Sequence, residues 1–113
     1  MRTVTLEVAS RGDVTRRALD AFRGKRQAAR ISFSTPELLW RVLTAKRWEL
    51  LKTMAAQGPL TIREIARRVN RDVKAVHGDV HALIDAGLLD KTLNNQVVFA
   101  FDTIRVAFTL HAA

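Results

Sequence analysis

The chain contains no cysteine. That excludes disulfide scaffolds, thiolate zinc fingers, iron–sulfur clusters and cysteine nucleophiles, and it gives no reason to expect an oxidising compartment. Tyrosine is also missing. The longest uninterrupted apolar run, residues 97–101, is far short of the ~20 residues that cross a bilayer. Residues 1–10 include Thr3, Thr5 and Glu7, so they form no signal-peptide core. There is no internal repeat, no low-complexity stretch, no glycine-rich phosphate loop, and no Ser/His/Asp arrangement that can be placed. Acidic residues are scarce: 11 Asp and Glu face 19 Lys and Arg, leaving +8 at pH 7 in 113 residues. The expectation is a cytoplasmic, soluble binding protein, not an enzyme, with no cofactor, metal or membrane.

Hydrophobic residues make up 48% of the chain, enough for one domain with a core of ordinary size. The excess of positive charge implies an anionic partner, with nucleic acid foremost and a nucleoid-associated location to match. The charge is uneven. Residues 1–35 carry +5, residues 36–87 carry +3, and residues 88–113 carry none.

Residues 3–9 alternate, with Val4, Leu6 and Val8 against Thr3, Thr5, Glu7 and Ala9, as in a half-buried strand. Asp13 is placed to cap a helix whose Val14, Ala18, Leu19 and Phe22 share a face, and Gly24 ends it. Residues 25–30 read as a basic loop and residues 30–33 as a short strand. Thr35-Pro36-Glu37 is a helix start: a cap, proline at the first position and an acid in the first turn. Leu38, Leu39, Val42 and Leu43 supply that helix with an apolar face. Thr44 caps the next helix, in which Trp48, Leu51 and Ala55 form a stripe beside Leu50 and Met54. By their spacing, Trp40 and Trp48 anchor the core. Gly58-Pro59 stops this helix.

Thr61-Ile62-Arg63-Glu64 is a capping box, in which the Thr61 hydroxyl accepts the Glu64 amide and Glu64 reaches back. Ile62, Ile65, Ala66 and Val69 make the buried face of this helix. Asn70-Arg71-Asp72 is a turn, and Asp72 caps a longer helix with Val76, Val80, Leu83 and Ile84 inward. Gly87 closes it. Residues 88–92 and 96–101 are apolar strands around the Asn-rich turn 93–95, which is a hairpin pattern. Residues 104–110 alternate as a last amphipathic strand.

A short capped helix, a turn of about three residues, a longer helix, a glycine and a hairpin occur in the order of a winged helix-turn-helix. The expected fold is mainly α with β (α+β): a winged helix-turn-helix over residues 35–113, and a strand–helix–strand extension over residues 1–34 for dimerisation or partner binding. With the second helix turning Val76, Val80 and Leu83 inward, Val73, Lys74, His77, Gly78 and His81 face outward, toward a major groove. Lys74 suits a phosphate or guanine, His77 and His81 suit base edges, and Val73 suits a thymine methyl. Arg63, Arg67 and Arg68 on the first helix and Arg71 in the turn suit phosphates. On the hairpin, Lys91, Asn94 and Asn95 are the candidates. Gly78 either admits close backbone approach to DNA or marks a weakened reading helix.

The stretch from Leu60 to Val69, continuing through Val73–His77 to Leu83-Ile84-Asp85-Ala86-Gly87-Leu88-Leu89, resembles bacterial and archaeal winged-helix regulators of the MarR/ArsR kind. The segment Thr35–Thr44, followed by Lys46–Leu51, looks like a group of short DNA-binding proteins often paired with a small toxin. The resemblance implies an autoregulating antitoxin of a type II toxin–antitoxin pair, with operator DNA and a cognate toxin as partners. Gly78 stands where such regulators usually carry a larger, often basic, side chain. The hairpin has Lys91 as its one basic residue.

His77 and His81 have metal-ligand spacing, but the metalloprotease pattern needs Glu where Gly78 stands, and no third ligand is obvious. Arg16, Arg17, Arg23, Lys25, Arg26 and Arg30 form the densest basic region. It reads equally as an extra phosphate or partner surface and as a solvated face. The terminal strands would leave exposed edges, so they are expected to pair, within one subunit or between two. A homodimer would suit a palindromic operator. The alternative function is a protein-interaction module that neutralises an acidic partner without specific DNA binding. An RNA binder is disfavoured for want of an exposed aromatic platform.

Overall fold

The computed structural model describes residues 2–9 and 29–109. The helix expected after Asp13, with Arg16, Arg17, Arg23, Lys25 and Arg26, lies outside the described residues. The elements are β1 (Thr3–Val8), β2 (Ala29–Phe33), α1 (Pro36–Val42), α2 (Ala45–Met54), α3 (Ile62–Val69), α4 (Val73–Asp85), β3 (Asp90–Lys91), β4 (Val97–Val98) and β5 (Thr103–Ala107). The fold is thus mixed α and β.

Each helix start follows from its cap, because a side-chain oxygen can satisfy an amide that has no partner in the first turn. Thr35 Oγ1 accepts from the Leu38 amide and Thr44 Oγ1 from Arg47, each at 3.2 Å. Thr61 Oγ1 accepts from Glu64 at 3.1 Å. Asp72 Oδ2 accepts from Lys74 and Ala75 at 3.1 and 3.3 Å. The capping box is only half formed. Glu64 does not return to Thr61; its carboxylate accepts from Arg67 and Arg68 instead. Gly87 ends α4 at φ +89°, a conformation open to glycine, and its amide bonds the Ile84 carbonyl.

The core joins both ends of the chain to the helices. Val4 and Leu6 of β1 are buried with Leu39, Leu43, Leu50, Leu51, Met54, Ile65, Ala66, Val76, Val80 and Leu83. Burial of each Leu, Val or Ile side chain contributes about 1.5–3 kcal/mol before entropy is set against it. Two expectations about this core need correction. The buried stripe of α2 is Leu50, Leu51 and Met54, whereas Trp48 is on the surface, and so is Trp40 of α1. A ten-residue helix turns its Leu50–Leu51–Met54 face to the core, which leaves Trp48 on the flank. Leu38 is exposed too.

β1 lies between β2 and β5 and is parallel to both. Val4 pairs with Ala29 and Ile104, and Leu6 with Ile31 and Val106. The terminal strands therefore meet within one chain. Parallel strands cannot be joined by a tight turn, and here residues 9–28 link β1 to β2, while α1, α2, α3 and α4 intervene between β2 and β5. The hairpin strands are shorter than their apolar pattern suggested. Leu88 and Leu89 are taken up by the turn out of α4, where their amides bond the Leu83 carbonyl at 3.0 and 3.3 Å.

Candidate nucleic-acid interface

α3 and α4 are separated by the three residues 70–72. Asn70 takes the left-handed conformation at φ 55°, which asparagine tolerates, and so turns the chain sharply. Its neighbour's amide, on Arg71, bonds the Ala66 carbonyl at 3.0 Å. Ile65 and Ala66 are buried against α4, whose Val76, Val80 and Leu83 are fully inward. That packing leaves the outer face of α4 free. Lys74, His77 and Gly78 are exposed, and Val73 is 44% exposed. His81 is only half-buried, and its Nδ1 is enclosed with no hydrogen-bond partner. The His77 and His81 rings lie with centroids 4.0 Å apart.

The hairpin is fixed beside this face. Leu60, just before α3, exchanges two backbone hydrogen bonds with Val97, at 2.8 and 2.7 Å. Thr92 and Gln96 close the turn, and Asn95 adopts φ 59°. The result is a concavity lined by Thr61, Ile62 and Arg63 at the start of α3, Val73 and His77 of α4, and Asn94 and Asn95 of the hairpin. Lys91 is exposed on β3. Leu93 at the tip is fully exposed and was not among the expected contacts. The sequence placed it in the turn 93–95, and nothing covers it.

The arginines divide into two groups. Arg63 is exposed, with no acidic partner among the described residues. Arg67 and Arg68 both bind Glu64. Arg67 Nε is 2.9 Å from Oε2, Arg68 Nε is 2.9 Å from Oε1, and a second Arg67 nitrogen also reaches Oε1. Arg68 also donates to Gln57 at 2.9 Å. These hydrogen bonds, from Arg67 first and Arg68 second, hold the Glu64 carboxyl down at about 2. Arg71 is largely enclosed. Its Nη2 donates to Asp79 at 2.7 Å, and its Nη1 is buried without a partner.

Asp79 also accepts from Arg47 Nε at 3.1 Å, and Arg47 Nη1 donates to the Arg41 and Val42 carbonyls at 3.1 Å each. Burial pushes the Asp79 carboxyl up, but hydrogen bonds from Arg71 and Arg47 outweigh it and leave it below its ordinary value. The cluster fastens α4 to the turn before it and to the α1–α2 corner. Arg47 and Asp79 were missed by sequence reasoning. The available signal was a carboxylate placed between inward-facing Val76 and Val80, since a buried charge needs partners.

A family model named HVO_A0114 matches residues 42–106, more than half of the chain. The chain belongs to the HVO_A0114 family. The family match takes in α2, α3, α4 and the hairpin, and so every exposed candidate contact named above. It leaves out β1, β2 and nearly all of α1. No curated protein and no solved structure matches the chain. Among the described residues no helix is long and apolar enough to cross a membrane, and no group of three or more His, Asp or Glu converges as a metal cage would.

Proposed function

We propose that the chain is a DNA-binding transcriptional regulator of the winged helix-turn-helix type. The observation that carries the reading is the shared concavity of α4, the hairpin tip and Arg63. A helix protruding beside a hairpin suits a major groove flanked by backbone. Lys74 and Arg63 bind phosphates, His77 reads a base edge, and Asn94 and Asn95 contact the adjacent strand. Control is by occlusion of a promoter. The resemblance to toxin-paired proteins extends the proposal to an autoregulating antitoxin in the cytoplasm. Co-purification with the product of an adjacent reading frame tests that extension.

The direct test is a mobility-shift titration on the DNA upstream of the chain's own coding region, repeated across a salt series. Two to four phosphate contacts predict a log–log slope of about −2 to −4. A slope near zero, or no complex at low salt, sinks the proposal.

One observation favours a second reading, capture of an acidic protein partner. Three of the four arginines expected on phosphates, Arg67, Arg68 and Arg71, are already held by Glu64 and Asp79. On that reading the surplus charge of residues 1–35 carries the function. A partner retained in pull-down by a chain with no DNA affinity distinguishes it.

A further inference from the structure

Both tryptophans lie on the surface, on the same side of the molecule. Trp40 is 53% exposed and Trp48 38%, and Val106 and Phe108 are 36% and 39% exposed. Trp40 meets Phe108 edge to face, with centroids 5.6 Å apart. Two grooves flank β5. One runs between Trp40, Leu43, Trp48 and Val106, and the other between Trp48, Leu51, Phe99 and Ile104. Trp48 is a wall of both, so the apolar surface is continuous. Isolated exposed apolar residues are ordinary, but a continuous set that includes both tryptophans marks an interaction surface.

This surface adjoins a sheet edge. Among the described residues, β5 pairs with β1 alone. An edge strand with pockets beside it is built to receive one more strand, through main-chain hydrogen bonds and alternate side chains. We infer that the added strand is β5 of a second copy of this chain, running antiparallel about a two-fold axis at Val106.

A two-fold contact needs a strand complementary to itself, and β5 is so in one register, with the apolar residues Ile104 and Phe108 spaced evenly about Val106. Ile104, Val106 and Phe108 point to the groove side, as the pairing of Ile104 with Val4 and of Val106 with Leu6 requires. With the axis at Val106, Val106 opposes its own copy and Ile104 opposes Phe108 of the second copy. Arg105 then opposes Ala107. An axis at Arg105 sets two guanidinium groups directly opposite, which is repulsive. An axis at Ile104 sets Asp102 against Val106 on the apolar side. An axis at Ala107 leaves Ile104 with no opposite within residues 103–109. β5 itself carries Arg105 as its one charge, and the charged side chains lining the grooves beside it, Glu49, Lys52 and Asp102, are of both signs. The sheet packs on α1, whereas α4 packs on α2 and α3, so the outer face of α4 stays free in the dimer.

The experiment is sedimentation equilibrium of the full chain without DNA over a concentration series. The expected mass is twice 12.7 kDa at the upper end. Val106→Lys and Trp40→Ala should each raise the dimer dissociation constant at least tenfold with circular dichroism unchanged. Because the chain has no thiol of its own, Val106→Cys supplies a second, independent reading. It should oxidise to a covalent dimer, and Thr109→Cys should not. This reading holds even where the charged variant fails to fold. A monomer of 12.7 kDa at every concentration overturns the inference. So does a dimer indifferent to Trp40→Ala, or equal cross-linking of the two cysteine variants.

Discussion

Arg71, in the turn before α4, donates from Nη2 to Oδ2 of Asp79 at 2.7 Å. The turn is thereby tied to a residue two helical turns further along α4. The side chains are only 21% and 18% exposed, so the pair is shielded and Arg71 is a positioning group more than a phosphate ligand. Asp79→Ala strands Arg47 and Arg71 together. It should lower unfolding free energy by about 2–4 kcal/mol in urea titration. A loss below ~0.5 kcal/mol contradicts the assignment.

The same cluster predicts a pH effect. Asp79 is depressed in the folded chain, so its contribution is present above the ordinary aspartate value near 3.9 and is lost as pH falls through the folded value. The stability difference between wild type and Asp79→Asn should therefore shrink on acidification below about pH 4. A difference that grows there contradicts the sign.

Glu64 neutralises Arg67 and Arg68, which point outward from α3. Glu64→Gln should release both guanidinium groups and tighten DNA binding severalfold at low salt, with a steeper salt slope. The carboxyl titrates at about 2 against an ordinary 4.5, so the stabilisation it gives α3 is full above pH 4.5 and fades toward pH 2. Weaker DNA binding by Glu64→Gln would show that Glu64 orients the arginines instead of masking them.

Gly78 sits inside α4 with nothing within 4 Å of the place a Cβ would take. No packing demand explains it. Gly78→Ala should stabilise the fold by about 0.5–1 kcal/mol through helix propensity alone. If the backbone approaches DNA there, the same change weakens binding. Greater thermal stability with unchanged affinity would remove Gly78 from the interface.

Leu6 is fully buried in β1 beside Ile31 and Val106. Leu6→Ala should cost about 2–5 kcal/mol, as in other cores, measured by denaturant unfolding. A cost below ~1 kcal/mol would mean that β1 is dispensable to the core.

Local chemistry was the legible part of this fold. Thr35, Thr44, Thr61 and Asp72 cap helices because a cap depends on residues within one turn. The inward stripe of Val76, Val80 and Leu83 follows from helical period alone. The pairing of β1 with β5 was only half legible, because alternation shows a strand but not its neighbour. Trp40 and Trp48 misled, since spacing places a residue on a helix without saying which face the tertiary packing covers. In the candidate site, the exposure of Lys74 and His77 followed from the same stripe. The masking of Arg67, Arg68 and Arg71 did not, because ion pairs depend on side-chain reach in three dimensions.

The proposed reading of DNA by α4 is tested by an anisotropy titration of the upstream DNA with wild type and with Lys74→Ala/His77→Ala, both side chains being exposed and outside the core. The double variant should bind at least tenfold more weakly, with a salt slope shallower by about 0.9 for the lost lysine and unchanged circular dichroism. Equal affinity of the two proteins at every salt concentration would contradict that reading.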